Sequence, residues 1–423
     1  MRRNITPFRG YYRRVLIGSA LGVKMVISIY QYSWFIFAFR LNLEQGWSPA
    51  QLGLIYTVLL FAVTLVQPFS GMIADAHGPR KISLLSACLV GGGILLGSYV
   101  SSPLVFCLCY GLGGLGVGAL NGISTAAALK WFPDKRGLSI GLVEFGFGGG
   151  TMFFNYFLQS ALDMYGWRDT FFYMAFFMWA VLVPLTMIYT YPPADWEQKF
   201  GQAGRPIKRN AADFRPIQMV ATNQWLIIYL GFILIVSVVL MFASHLKMIA
   251  QEFHISGPLF SLVLVAFPIG NGLSRIVAGL VSDVLGRERT MALFFSLLGC
   301  CMLALGLFGA TPWPWLFLVF VFLAGLLGGA PFVLYAVTLG DYFGSRHFTA
   351  NWGLTVTGKA WAGLIAGWFS GFLVTQFGTY NAPLLTLAAC CFGAALVSNP
   401  WSLRPPGGPI RREPLPSSQK DEK

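Results

Sequence analysis

The sequence predicts an all-α polytopic membrane protein with twelve transmembrane helices in two six-helix bundles. Three observations carry that expectation. Apolar runs of about 20 residues recur along the whole chain, each long enough to cross a hydrocarbon core. Lys and Arg gather in alternate loops between those runs. One short loop motif occurs twice, separated by about half the chain.

The runs come first. Of the 423 residues, 56% are apolar and only 11% charged, and the mean hydropathy is +0.65. An ordinary soluble domain is about 25% charged. By hydropathy and turn punctuation the run cores are 15–39, 52–73, 82–100, 104–127, 138–160, 170–190, 225–246, 259–280, 291–309, 314–338, 352–373 and 381–398. Barrel strands would instead alternate over about ten residues. The basic N-terminus does not read as a signal peptide, because the run after it is too long and no small-residue cleavage site closes it. All seven cysteines fall in apolar runs without metal-ligand spacing, so they read as packing residues, and neither a disulfide framework nor a metal site is expected.

The charges come second. A net charge of +13 would suit nucleic acid were it clustered on one soluble face. Here Arg2, Arg3, Arg13, Arg14, Arg80, Lys81, Lys135, Arg136, Lys208, Arg209, Arg287, Arg289, Arg411 and Arg412 occupy both ends and the even-numbered loops, while the other side keeps little beyond Arg40, Arg168 and Lys247. That asymmetry places both termini in the cytoplasm, and the partner it implies is the lipid bilayer, not nucleic acid.

The repeat comes third. Gly71, Asp75, Gly78 and Arg80 follow the second run; Gly279, Asp283, Gly286 and Arg287 follow the eighth. The second glycine of each set suits a tight turn, and each aspartate is expected to meet the positive end of the helix that follows it. Duplication gives a bundle over 1–196, a cytoplasmic linker over 197–216, a second bundle over 217–400 and a disordered cytoplasmic tail over 401–423. Gly114, Gly118 and Gly122, and likewise Gly363, Gly367 and Gly371, recur every fourth residue and predict smooth faces for close helix packing. Gly146, Gly148, Gly149 and Gly150 extend this to the fifth run.

Four charges lie where water is absent: Lys24, Glu144, Arg275 and Lys359. A charge at bilayer depth costs at least about 2.5–3.5 kcal/mol, so such residues are rare and functional. At 1.5 Å per residue, Arg275 stands about 12 Å of helix before Asp283, and Lys359 lies a similar number of residues beyond the 346–351 loop. The two cations are therefore expected at one depth, where they would hold an anion: arginine as a planar fork for a carboxylate, lysine as a compact second charge. Lys24 and Glu144 are expected to form an ion pair, serving either the bundle or coupling. Gln31, Tyr32 and Asn121 are candidate polar lining, with Tyr30 and Tyr335 as further candidates. Two positive charges are in excess, which predicts that an empty site resists closing and that a bound anion licenses it. No nucleophile–base set, metal cluster or phosphate-loop motif appears, so neither an enzyme, a cofactor nor ATP-driven transport is expected. The four histidines lie near run ends, away from a proton relay.

The paired Gly-Asp-Gly-Arg loops resemble the cytoplasmic loop signature of the major facilitator superfamily, which implies the major facilitator fold. Within it, Gln31-Tyr32-Ser33-Trp34, Trp131-Phe132-Pro133-Asp134-Lys135-Arg136-Gly137, Asn271-Gly272-Leu273-Ser274-Arg275 and Gly358-Lys359-Ala360 resemble the oxalate:formate antiporter family. That family's anion-binding arginine and lysine fall on Arg275 and Lys359. The resemblance implies a carrier in the cell (inner) membrane that exchanges small carboxylates, with a monomer sufficient for function. The chain departs from the pattern at Gly328 and Val356, where it has tryptophans, and at Asn121, where it has a tyrosine, which implies a roomier site than oxalate needs. A proton-coupled monocarboxylate symporter is the alternative. Such carriers resemble this chain in a first-span lysine and an eighth-span arginine, but place an aspartate where this chain has Asn271.

Overall fold

The computed structural model describes residues 7–47, 49–193, 196, 213–255, 257–308 and 314–406. Most of the expected linker and most of the expected tail lie outside the described residues. Among the described residues the regular structure is all helical. The first span is α1 (Pro7–Tyr32) continued by α2 (Trp34–Gln45); the second, third and fourth are α3 (Pro49–His77), α4 (Pro79–Ser98) and α5 (Pro103–Trp131). The long α6 (Arg136–Met187) holds two spans, divided where Gly166 turns the chain at φ 72°. The short α7 (Pro216–Val220) leads into α8 (Asn223–Glu252), α9 (Gly257–Leu285) and α10 (Arg287–Phe308), the seventh to ninth spans.

The tenth and eleventh spans are broken. α11 (Pro314–Gly328) gives way to α12 (Pro331–Phe343), because Pro331 offers no N–H and its ring clashes with the preceding turn. The eleventh runs through α13 (Phe348–Val356), α14 (Gly358–Leu364), a π turn at Ile365–Phe369 and α15 (Ser370–Phe377). Wide turns of this kind are frequent at functional sites, and Lys359 lies between the two breaks. α16 (Asn381–Val397) completes twelve spans. The repeat loops turn as expected, with Gly78 at φ 86° and Gly286 at φ 94°, a region that only glycine enters cheaply.

The first glycine stripe is a packing face. A Cβ on Gly118 would sit 2.1 Å from the Val63 carbonyl oxygen of α3, and one on Gly114 would sit 2.8 Å from Leu59 Cδ1. Gly146 and Gly150 do the same against Leu21 and Met25 of α1. The stripe in the eleventh span departs from expectation at two of its glycines: a Cβ on Gly371 would meet nothing within 4 Å and one on Gly363 only Leu240 Cδ1 at 4.0 Å, while the surroundings of Gly367 lie outside the described residues. The seven cysteines are free thiols.

Candidate functional site

Glu144 of α6 is the centre of the buried charges. Lys24 Nζ, on α1, donates to Glu144 Oε1 at 2.6 Å, to Asn121 Oδ1 at 2.5 Å and to Thr125 Oγ1 at 2.9 Å, and the Thr125 hydroxyl donates to Glu144 Oε1 at 2.6 Å. On the other side Arg275 Nη1, on α9, donates to Glu144 Oε2 at 3.2 Å and to the Glu144 carbonyl at 2.9 Å, while Nη2 donates to Asn271 Oδ1 at 3.2 Å. One acid therefore bridges the two halves of the chain. The arginine reaches α6 because residue 148, one turn beyond Glu144, is glycine: a Cβ there would lie 3.1 Å from Arg275 Nε. Arg275 is 1% exposed and stacks over Phe332, its Cζ 4.9 Å from the ring centroid.

Lys359 is different. It is 6% exposed, and among the described residues it has no ion pair; its Nζ donates to Gln31 Oε1 at 3.2 Å. Phe147 lies between the lysines, its centroid 5.5 Å from Lys24 Nζ and 5.9 Å from Lys359 Nζ, and its ring edge meets Tyr32. The negative face of the ring gives each ammonium a weak counterpart in place of water. The excess of two positive charges is therefore unevenly shared: one is spread over the hydrogen-bonded Lys24–Glu144–Arg275 chain, the other rests on Lys359. Among the described residues Gln31 Nε2, Asn271 Nδ2 and Arg275 Nε are buried donors without acceptors. A site short of acceptors favours a ligand that supplies them.

The arrangement brings together Lys24, Gln31, Asn121, Glu144, Arg275 and Lys359, with Tyr32 beside them. Asn121 is committed to Lys24. Tyr335 stands apart: its hydroxyl exchanges a 2.9 Å hydrogen bond with Ser398 Oγ, behind α12. Tyr30 also turns inward, stacked on Tyr110. Gly328 faces α8, where a Cβ would lie 3.0 Å from Val239 Cγ2. Thr125, Phe147 and Phe332 complete the site without having been marked in the sequence, since a threonine or phenylalanine in an apolar run carries no signal of its own.

The repeat loops form a second polar layer at the end of the bundle where they lie. Asp75 accepts from the Thr349 hydroxyl at 2.5 Å and from the Ala350 N–H at 3.1 Å; Asp283 accepts from the N–H groups of Gly137 at 3.2 Å and Leu138 at 3.1 Å. These donors open α13 and α6. Each aspartate thus meets the positive end of a helix in the opposite half, not of the helix that follows it in sequence. Lys130 Nζ donates to Asp75 at 2.7 Å. Asp341 of α12, 2% exposed, joins Arg136 (2.7 Å) across the halves to Arg287 (3.0 Å), which also reaches Asp283 at 2.6 Å. Arg80, by contrast, is exposed and forms no ion pair among the described residues.

Tyr191 extends this layer, its hydroxyl 2.9 Å from Thr349 Oγ1. Burial, reinforced by Asp75, pushes its phenol well above the ordinary range. Because Thr349 donates to Asp75, Tyr191 is the donor to Thr349. Burial also holds the nearby His347 imidazole below its usual range, against the pull of Asp75.

Glycines let the halves close at this end. A Cβ on Gly71 would lie 2.6 Å from Thr349 C, one on Gly353 2.5 Å from Gln67 C, one on Gly279 2.2 Å from Gly137 O, and one on Gly141 2.4 Å from Arg275 O. Gly71→Val is expected to hold this end apart. A cysteine placed at Ala350, 1% exposed in the native chain, then reacts several-fold faster with a water-soluble maleimide. An unchanged rate would show that the seam does not depend on Gly71.

The comparisons with known proteins agree with this architecture. A family model described as the Major Facilitator Superfamily matches residues 21–248 and 237–421. The chain is 28% identical over 382 residues to the oxalate:formate antiporter of Oxalobacter formigenes, covering 90% of this chain and 89% of that protein. It is 26% identical over 380 residues to a probable sulfoacetate transporter of Cupriavidus necator, covering 84% and 86%. The fold is similar to that of the proton:xylose symporter XylE, with a TM-score of 0.72 at 16% identity over 92% of this chain and 95% of that one. With transporter relatives along nearly its whole length, and its helices arranged as in a solved transporter, the chain is a membrane transporter and not an enzyme, and it belongs to the major facilitator superfamily.

Proposed function

We propose that this transporter exchanges small carboxylate anions across the cell membrane by alternating access, with both termini and the repeat-loop end in the cytoplasm. The observation that carries the reading is Lys359, a buried cation that has no ion pair among the described residues and faces Gln31 of the other half. A buried ammonium costs several kcal/mol unless a counter-charge joins it, so the site is built to be completed by an anion. Gln31 adds a donor, Tyr32 and Phe147 add walls, and Arg275 fixes the depth. The printed activity of the oxalate:formate antiporter relative supports the same chemical class.

Exchange follows from the charge surplus. Closing over an empty site brings Lys359 and the Lys24–Glu144–Arg275 chain together in low dielectric, where their repulsion is strong. A bound carboxylate removes that cost, so closure is favoured only when loaded. The alternative, a proton-coupled monocarboxylate symporter, is favoured by one observation: Glu144 bonds both Lys24 and Arg275, so its protonation would release both.

The test is counterflow. Purified protein in vesicles loaded with unlabelled formate or oxalate should accumulate the labelled anion, and unlabelled sugars of similar size should not compete. Counterflow of sugars but of no carboxylate would sink the reading.

A further inference from the structure

We propose that Glu144 is a tethered carboxylate occupying the arginine half of the anion site, so that the carrier selects monocarboxylates over dicarboxylates. This rests on the carboxylate reading above and narrows it. Two cations at one depth would, taken alone, suit an anion with two carboxylates. The geometry assigns one of them elsewhere. Arg275 spends Nη1 on the Glu144 carboxylate and carbonyl and Nη2 on Asn271. A bidentate grip needs two parallel N–H groups on one edge. The outer edge is taken; Nε, over Gly148 and without an acceptor among the described residues, leaves a single N–H and not a bidentate edge.

Lys24 and Thr125 hold the tether in place. Their bonds to Glu144 Oε1 leave Oε2 for Arg275, so the carboxylate spans both cations with one oxygen each. Lys24, Glu144 and Arg275 are each less than 5% exposed, and a substrate that displaced Glu144 from Arg275 would leave that carboxylate with fewer partners in a dry site. Lys359, hydrogen-bonded among the described residues to the neutral Gln31 alone, is the cation left for the substrate. One substrate carboxylate then meets one free ammonium. A second would face Glu144, and like charges brought together in a closed site repel.

The experiment uses the full chain in vesicles, with labelled formate counterflow inhibited by acetate, lactate, oxalate or malonate. In the native protein the monocarboxylates should compete about tenfold better than the dicarboxylates, the effect of one charge-assisted hydrogen bond. The paired variant Lys24→Gln with Glu144→Gln removes tether and partner together, leaves no orphan charge between them and frees Arg275. It should reverse the order. Glu144→Asp keeps the charge beside Lys24 and withdraws the carboxylate by one methylene. It should shift the order in the same direction by a smaller factor, which keeps the test decisive if the paired variant does not fold. Native preference for dicarboxylates, or an unchanged order in the variants that fold, would overturn the proposal and leave carboxylate exchange standing. Failure of every carboxylate to compete or move would overturn both.

Discussion

Lys359→Gln is expected to slow anion exchange by about 10- to 100-fold while leaving the folded protein as stable as the native chain or more so. The two effects have one cause. Lys359 is an ammonium held in the bilayer core with a neutral amide as its hydrogen-bond partner. Removing a group from a charge-assisted contact with a carboxylate costs about 1.5–3 kcal/mol, and 100-fold corresponds to about 2.7 kcal/mol. In the empty protein the same ammonium bears a desolvation cost that no ion pair among the described residues offsets, so its neutral replacement relieves the fold. Counterflow in vesicles and thermal unfolding in detergent are the two measurements. A variant that lost transport because it unfolded more easily would show that Lys359 supports the structure instead. Wild-type transport would remove it from the site.

Asp341→Asn is expected to have the opposite profile, with the larger stability loss. Asp341 is a 2% exposed acid that holds two nearly buried guanidiniums, Arg136 from one half and Arg287 from the other. Breaking a buried pair by removing one partner costs about 3–5 kcal/mol, because the remaining charge is left uncompensated. The unfolding midpoint should fall by about 10 °C. The cysteine at Ala350 should also become more reactive, since the Arg136 bond is one that closes the repeat-loop end. Asp283→Asn provides the contrast: Asp283's side chain is 24% exposed and it shares Arg287 with Asp341, so its loss should cost less. Equal effects at the two positions would contradict the view that burial sets the magnitude.

Much of the fold was legible because a bilayer imposes length. Each span had to be apolar for about 20 residues, and the run cores match the twelve helical spans, overrunning a helix end by up to about three residues in four cases. The breaks were harder to read. Pro331 and Gly358 interrupt runs that stay apolar on average, and a hydropathy average passes over both. The site was legible where charge was unusual for its depth: Lys24, Glu144, Arg275 and Lys359 stood out one by one. Their pairing was not. That Arg275 bonds Glu144 depends on α6 and α9 touching through Gly141 and Gly148, a contact between residues more than a hundred positions apart. The loop aspartates show the same limit. Asp75 and Asp283 were marked by the repeat and by a helix dipole, but the nearest helix in sequence was not the one in space. Asp341 escaped notice because it lies just past the end of an apolar run, where an acid is ordinary.

The most direct test of the central claim, that a bound anion licenses closure and so enforces exchange, is uptake of labelled formate into vesicles that hold either cold formate or none, each with and without an inward proton gradient. The account predicts uptake only into loaded vesicles, at a rate indifferent to the gradient. Rapid uptake into empty vesicles driven by the gradient would contradict it, and would move the coupling from the surplus charge on Lys359 to the protonation of Glu144.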